Sequence, residues 1–105
     1  MFLYVLKWDI IPGKVEDYQN WAAIAIGRTV RAPGVQEFRA YRPVAGKSEV
    51  VVTYEFADFN AWETWFNNQV IQEIFDQLFN LTTNVERELW EPSPIAPEPV
   101  TMFTK

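Results

Sequence analysis

Four segments of the chain have the pattern of apolar and polar residues that is typical of β-strands, in which successive side chains point to opposite faces. These segments are residues 2–11, 35–42, 49–56 and 82–90. The third contains a run of three valines and carries apolar side chains on both faces, so it is predicted to be buried on both sides. One face of the first segment consists of large apolar side chains: Phe2, Tyr4, Leu6, Trp8 and Ile10.

Two longer segments repeat their apolar residues at helical spacing. The first helix is predicted over about residues 14–31 and is stopped by Ala32-Pro33-Gly34. Proline cannot continue a helix, and glycine permits the turn that follows. The second helical segment is residues 59–81, with Asp58 as its predicted N-cap. The pair Asn67-Asn68 can break this segment into two helices.

The order βαββαβ predicts a domain of the α+β class with a four-stranded antiparallel sheet. Both helical segments cover one face of that sheet and leave the other face open. Strands one and three still carry apolar side chains on the open face, and a second copy of the chain is its simplest partner. The sequence therefore predicts a homodimer joined through its sheet faces.

The folded domain is predicted to span residues 1–91, followed by a Pro-rich arm over residues 92–105. Prolines at positions 92, 94, 97 and 99 exclude a helix or a central strand and favour an extended chain. Met102 and Phe103 are apolar anchors with which the arm can dock. A lid, an arm over the partner protomer and a frayed end all remain open as its role.

Charge and composition exclude several functions. Nine Lys and Arg against 14 Asp and Glu give a net charge of −5, with no basic stripe for nucleic acid and no attraction to anionic membranes. The chain has no His and no Cys, so the commonest metal ligands are missing and no metal site is expected. Without a signal peptide or a long apolar run, the domain is expected to be cytoplasmic.

Aromatic residues are more numerous than a small core requires, with five Trp, four Tyr and eight Phe in 105 residues. Surplus rings of this kind can line a pocket for a flat aromatic ligand, with hydroxyl and indole N–H groups to orient it. They can equally complete the core and fill a dimer interface. The chain alone does not decide between these two interpretations.

The order of the predicted elements and the turn residues between them resemble those of the antibiotic-biosynthesis-monooxygenase-like families. The resemblance covers residues 1 to about 90 and rests on these stretches: Pro12-Gly13-Lys14 with Tyr18 and Trp21, Ala32-Pro33-Gly34-Val35, Tyr54-Glu55-Phe56, and Trp62-Glu63-Thr64-Trp65. It implies a ferredoxin-like fold that pairs into a dimeric α+β barrel. The families include cofactor-free quinone-forming monooxygenases, haem-degrading enzymes and small isomerases.

By this resemblance, a site between helices and sheet would be lined by Tyr4, Leu6 and Trp8 and closed by Tyr18, Trp21, Trp65 and Phe75. The haem-degrading branch uses an Asn, a Trp and an iron-binding His. Only the Trp is kept here, as Trp65, while Leu6 and Phe75 occupy the other two positions. Ligation of haem in that manner is therefore not expected.

Charged residues on the strands provide further candidates. Arg39 or Arg87 beside a pocket can hold a phenolate or carboxylate through a forked hydrogen bond, and Arg39 is placed in the candidate site. The commoner role of such residues is pairing with nearby Glu side chains, Glu37 among them. Glu55 and Glu88 are the best general-base candidates, although no spacing marks either as catalytic.

Together these features predict a cofactor-independent monooxygenase-like enzyme acting on a small planar aromatic or polyketide-like substrate. The candidate substrate-binding residues are Tyr4, Trp8, Tyr18, Trp21, Arg39 and Trp65, while no catalytic residue can be named. The alternative is a non-catalytic domain whose rings hold a dimer together or bind a regulatory metabolite.

Overall fold

A computed structural model describes residues 1–102 of the chain. Its four strands form one antiparallel sheet in the order β2-β3-β1-β4. The ferredoxin-like α+β arrangement predicted from the sequence is thereby confirmed. The elements follow one another as β1 (Phe2–Ile10), α1 (Val15–Arg31), β2 (Glu37–Tyr41), β3 (Val50–Phe56), α2 (Phe59–Phe66), α3 (Gln69–Phe79) and β4 (Thr82–Trp90).

The loop from α1 to β2 needs glycine at position 34. Gly34 has a φ of +117°, which other residues rarely adopt. A Cβ atom there would lie only 3.3 Å from the carbonyl oxygen of Ala61 in α2. The missing side chain therefore lets this loop approach α2 closely.

The core lies between the helices and the face of the sheet made by the even-numbered residues of β1. Phe2, Tyr4, Leu6 and Trp8 all point to this side and are buried. They pack on side chains from β3 and the helices: Ala25, Val52, Tyr54, Phe56, Trp65, Ile71, Ile74, Phe75 and Leu78. The apolar face predicted for the first strand is thus the face that the helices cover.

The other side of the sheet, which we call the open face, carries twelve side chains in three rows. Each row crosses the strands in the order β2, β3, β1, β4, and neighbours in it are paired residues. Charged groups share this face with apolar ones, and a shallow hollow of about 380 Å³ lies over it. The rows are Glu37-Glu55-Leu3-Trp90, Arg39-Thr53-Val5-Glu88 and Tyr41-Val51-Lys7-Glu86.

Residues 91–102 leave the sheet without forming a helix or a strand, and all of their side chains are exposed. Ile95, for example, is 94% exposed. Met102, one of the two predicted anchors of the arm, is exposed as well, and Phe103 lies outside the described residues. Docking of the arm therefore stays a prediction.

Candidate functional site

Among the hollows on the helix-covered side of the sheet, two differ clearly in size and chemistry. The first, the inner cavity, is lined by residues of α1, α3 and the sheet and measures about 40 Å³. The second, the Arg87 groove, lies between α2 and β4, opens to solvent and measures about 290 Å³. Only the groove has room for an organic molecule, because a single water already requires about 10–15 Å³ on this scale.

The inner cavity collects three of the aromatic residues predicted for the site: Trp8, Tyr18 and Trp21. Their polar atoms are already engaged. The indole Nε1 of Trp8 donates to the Tyr18 hydroxyl at 3.1 Å, and that of Trp21 donates to Gln77 Oε1 at 2.8 Å. Aliphatic and aromatic groups make up much of the remaining wall, including Ala25, Ile26, Val52, Ile74, Phe75 and Leu78.

Tyrosine hydroxyls around the inner cavity remain protonated over the ordinary pH range. Burial raises the pKa of Tyr18, and the hydrogen bond from Trp8 opposes this rise. Burial also raises the pKa of Tyr54 to about 12, although its hydrogen bond to Thr29 lowers it. The cavity is therefore uncharged.

The Arg87 groove has a flat aromatic wall. Trp62 and Phe66 are one helical turn apart on α2, and their rings stack with centroids 5.0 Å apart and an angle of 18° between planes. Tyr4 from β1 meets both rings edge-on at 5.5 and 5.9 Å. Such a wall suits a planar ring system, which can lie against π faces or meet their edges.

Two of the side chains that line the groove are hydrogen-bond donors, Trp62 and Arg87. The indole Nε1 of Trp62 is buried and has no hydrogen-bond partner among residues 1–102. The guanidinium of Arg87 lies 5.7 Å from the ring centre of Phe79 and forms no ion pair with a described carboxylate. A buried donor without a partner is costly, so the Trp62 indole favours a ligand that supplies an acceptor. Arg87 is exposed and adds a positive charge at the same groove.

Arg87 also affects Tyr4, whose side chain lines the groove. Burial raises the pKa of the Tyr4 hydroxyl, and the positive charge of Arg87 opposes that rise. The groove thus combines a flat wall, a phenol, an indole N–H and a cation. Together they can hold a planar molecule with an anionic oxygen, such as a phenolate or an enolate.

Two of the predicted site residues line neither hollow. Trp65 is 1% exposed, donates its Nε1 to the carbonyl of Thr29 at 3.0 Å and packs against Tyr4, Tyr54, Phe56 and Phe75. It is a central core residue. Arg39 lies on the open face, with its Nε 3.0 Å from Glu37 Oε1. The sheet separates it from both hollows, and it makes the Glu37 pairing that the sequence allowed as the commoner role.

The two general-base candidates also lie on the open face. Glu55 pairs across the strands with Leu3 and Glu37. Glu88 lies 3.7 Å from the ammonium of Lys7, accepts from the Trp90 indole and reaches the edge of the Arg87 groove. Of the two, only Glu88 comes near a hollow of the helix-covered side.

Sequence reasoning left out two residues that define the groove, Trp62 and Arg87, although both had been considered. The signal for Arg87 was its position between Val85 and Leu89, on a strand face that is otherwise apolar. Trp62 gave no separate signal, because its spacing suits the core equally well.

The fold and the groove define a small α+β protein with a hollow suited to a planar ligand. Residues 1–77 match the family model of antibiotic biosynthesis monooxygenases, and the chain belongs to that family. The match ends before β4, so it does not include Arg87. No curated protein matches the chain.

Solved structures with the same fold include relatives of low sequence identity. SnoaB, a cofactor-independent oxygenase from Streptomyces nogalater, aligns over 92% of this chain and 97% of its own, with 16% identity and a TM-score of 0.73. A dabb family protein from Mesorhizobium loti aligns over 88% and 96%, with 14% identity and a TM-score of 0.78. A protein from Arabidopsis thaliana aligns over 91% and 99%, with 11% identity and a TM-score of 0.80. These similarities establish the fold.

Within residues 1–102, no helix is long and apolar enough to cross a membrane. The same part of the chain holds no group of three or more acidic residues arranged to bind a metal ion.

Proposed function

We propose that the chain is a cofactor-independent monooxygenase that binds a planar phenolic or polyketide-like substrate in the Arg87 groove. One observation carries the proposal: the groove combines the stacked rings of Trp62 and Phe66, an indole Nε1 on Trp62 with no hydrogen-bond partner within residues 1–102, and the exposed cation of Arg87. Membership of the monooxygenase family and the fold shared with SnoaB support the same class of reaction.

In the proposed reaction the substrate itself reduces dioxygen. A ring CH₂ group activated by neighbouring phenol and carbonyl groups loses a proton, and the resulting carbanion passes electrons to dioxygen. One oxygen atom becomes a carbonyl and the other leaves as water, R₂CH₂ + O₂ → R₂C=O + H₂O. No external reductant is required, because the carbon is oxidised while dioxygen is reduced.

The protein contributes positioning and charge stabilisation to this reaction. In this proposal Arg87 and Trp62 stabilise the oxyanion that forms when the carbanion delocalises onto the phenol oxygen, because donors aimed at developing charge lower the barrier of the reaction. Trp62, Phe66 and Tyr4 hold the ring system in place. Of the residues predicted from the sequence, Tyr4 belongs to this proposed site, while Trp8, Tyr18 and Trp21 belong to the inner cavity.

The proposal is tested by measuring the binding of planar phenols to the wild type and to Arg87→Gln. Quenching of tryptophan fluorescence reports the binding. Loss of one hydrogen bond to a charged ligand costs roughly 1.5 kcal/mol for an exposed cation, so the dissociation constant should rise about tenfold. Arg42→Gln, an exposed arginine after β2, is the matched control and should bind as the wild type does.

Oxygen consumption with the tightest phenol then separates the enzyme from the alternative. Consumption that falls with Arg87→Gln would support catalysis in the groove. Saturable binding without consumption would favour a non-catalytic domain that binds a metabolite. Equal affinity in the wild type and Arg87→Gln would remove the groove as the binding site.

A further inference from the structure

The inner cavity has a size and a polarity that the proposed substrate cannot use. We infer that it is a binding site for dioxygen, from which the gas reaches the substrate in the Arg87 groove. This inference rests on the proposed function for its biological meaning, but the occupancy of the cavity can be measured independently of any activity.

The volume of the cavity fits a diatomic gas. About 40 Å³ exceeds the roughly 10–15 Å³ that holds a single water and is far below what a phenolic ring system requires. Apolar cavities of small proteins remain dry and accept xenon or similar small apolar ligands. Dioxygen belongs to that class because it is small, uncharged and a poor hydrogen-bond acceptor.

The polar atoms around the cavity give water little to bind. Tyr54 donates its hydroxyl to Thr29 Oγ1 at 3.0 Å, and Thr29 in turn donates to the carbonyl of Ile26 at 2.8 Å. The Trp8 and Trp21 indoles have the partners described above. A buried water normally makes two to four hydrogen bonds. Only the hydroxyl hydrogen of Tyr18 lacks an acceptor among the described residues, so a water would be poorly satisfied here.

The ring of Phe75 lies between the cavity and two of the rings that line the groove. Phe75 lines the inner cavity. Its ring centroid lies 6.2 Å from that of Tyr4 and 6.1 Å from that of Phe66, and both of these rings line the groove. A gas molecule that passes the edge of Phe75 therefore arrives at the wall against which the planar substrate is proposed to lie.

The other side of the cavity is formed by small side chains of α1. Ala22 and Ala25 face the sheet, and Ile26 lines the cavity while remaining 38% exposed. Ile26 thus forms both part of the cavity wall and part of the surface. This edge of α1 is the short route by which a gas dissolved in water can enter.

Gas binding can be measured by NMR on the wild-type protein with methyl-labelled Val, Leu and Ile. Dissolved dioxygen should broaden the methyl signals of Val52 and Ile74, which are buried and line the cavity, and xenon should shift them saturably. Ala25→Val fills the cavity and should abolish both effects. Ala23→Val makes the same change on the exposed side of α1 and should leave them intact.

Ala22→Leu at the edge of the cavity is the second variant, in case Ala25→Val fails to fold. The inference is overturned if neither gas perturbs Val52 and Ile74 more than the exposed methyls. Cross-relaxation of these methyls with a long-lived buried water would overturn it as well.

Steady-state kinetics then connects the site to turnover. Filling the cavity should raise the KM for dioxygen several-fold while leaving the dissociation constant of the phenol unchanged. Turnover with an unchanged KM for dioxygen would contradict delivery through the cavity and leave the proposed function standing. Gas binding in a protein that oxidises no phenol would contradict the proposed function instead.

Discussion

At the scale of single residues, Thr29 connects three parts of the core. Its hydroxyl accepts from Tyr54 on β3 at 3.0 Å, and its backbone carbonyl accepts from Trp65 on α2 at 3.0 Å. Thr29 itself belongs to α1, so two hydrogen bonds attach this helix to the sheet and to α2. Because all three residues are buried, these bonds are protected from competition with water.

The raised pKa of Tyr54 predicts that the protein loses stability at alkaline pH. Its pKa of about 12 in the folded protein exceeds the value of 10.0 expected for an unfolded chain. The folded state therefore binds this proton more tightly, so the stabilisation is complete below pH 10 and is lost as the pH rises toward 12. Urea unfolding across this interval should show the loss, and Tyr54→Phe should make the decline less steep.

Tyr54→Phe also removes the hydrogen bond to Thr29, which should cost about 1 kcal/mol at pH 8. The informative quantity is thus the change in unfolding free energy between pH 8 and pH 11 for each protein. Tyr41→Phe is the control, since Tyr41 is exposed. Identical declines in the wild type and Tyr54→Phe would contradict the assigned role of Tyr54.

Sequence reasoning at this scale selected the aromatic residues as candidates but could not assign each of them to the core or to a hollow. Trp65 and Trp62 lie three positions apart on one helix, yet one is enclosed in the core and the other borders the groove. Arg39 and Arg87 both lie on strands, yet they face opposite sides of the sheet. The face of each strand that the helices cover depends on the strand register and on the placement of the helices. The pattern of apolar and polar residues in one sequence does not specify either of these.

At the scale of elements, the helical region after β3 is divided by its own caps. Asp58 begins α2 by accepting from the N–H of Ala61 at 2.9 Å, and Asn68 begins α3 by accepting from that of Val70 at 2.8 Å. The predicted N-cap and the predicted break at Asn67-Asn68 are both confirmed. The break follows directly after Phe66, so it ends α2 at the residue that stacks on Trp62.

Asp58→Ala should destabilise the protein by about 1 kcal/mol, because the cap satisfies a backbone N–H that no helical carbonyl can reach. Thermal unfolding should show a decrease of roughly 4–8 °C for a domain of this size. Asp58→Asn keeps the capping oxygen and should retain most of the stability. If both variants unfolded at the same temperature, the charge of Asp58 rather than its cap would be responsible.

The strands were predicted to within about two residues at each end. The second was expected over residues 35–42 and is formed by Glu37–Tyr41. Gly34 turns the chain just before it, and Pro43 shortly after it has no N–H to extend the ladder. Turn and proline signals therefore located the strands well, while the last paired residue depended on the backbone geometry of the neighbouring loops.

At the scale of the whole molecule, the open face is a mosaic of apolar and charged side chains. Leu3, Val5 and Val51 are apolar, whereas Glu37 and Glu55 are directly paired across β2 and β3. Like charges in that position repel one another, and Arg39 bridges only Glu37. A partner that covers the apolar groups would remove them from water.

We propose that this partner is a second copy of the chain, and Thr53→Arg tests it. Thr53 is partly buried in the middle row of the open face, so a long cation there should prevent two faces from meeting while a folded monomer tolerates it. Light scattering should give twice the chain mass for the wild type and the chain mass itself for Thr53→Arg. Thr64→Arg, on the exposed surface of α2, should remain dimeric.

A folded wild type that stays monomeric at all accessible concentrations would exclude the proposed dimer, because the fraction of dimer must increase with protein concentration.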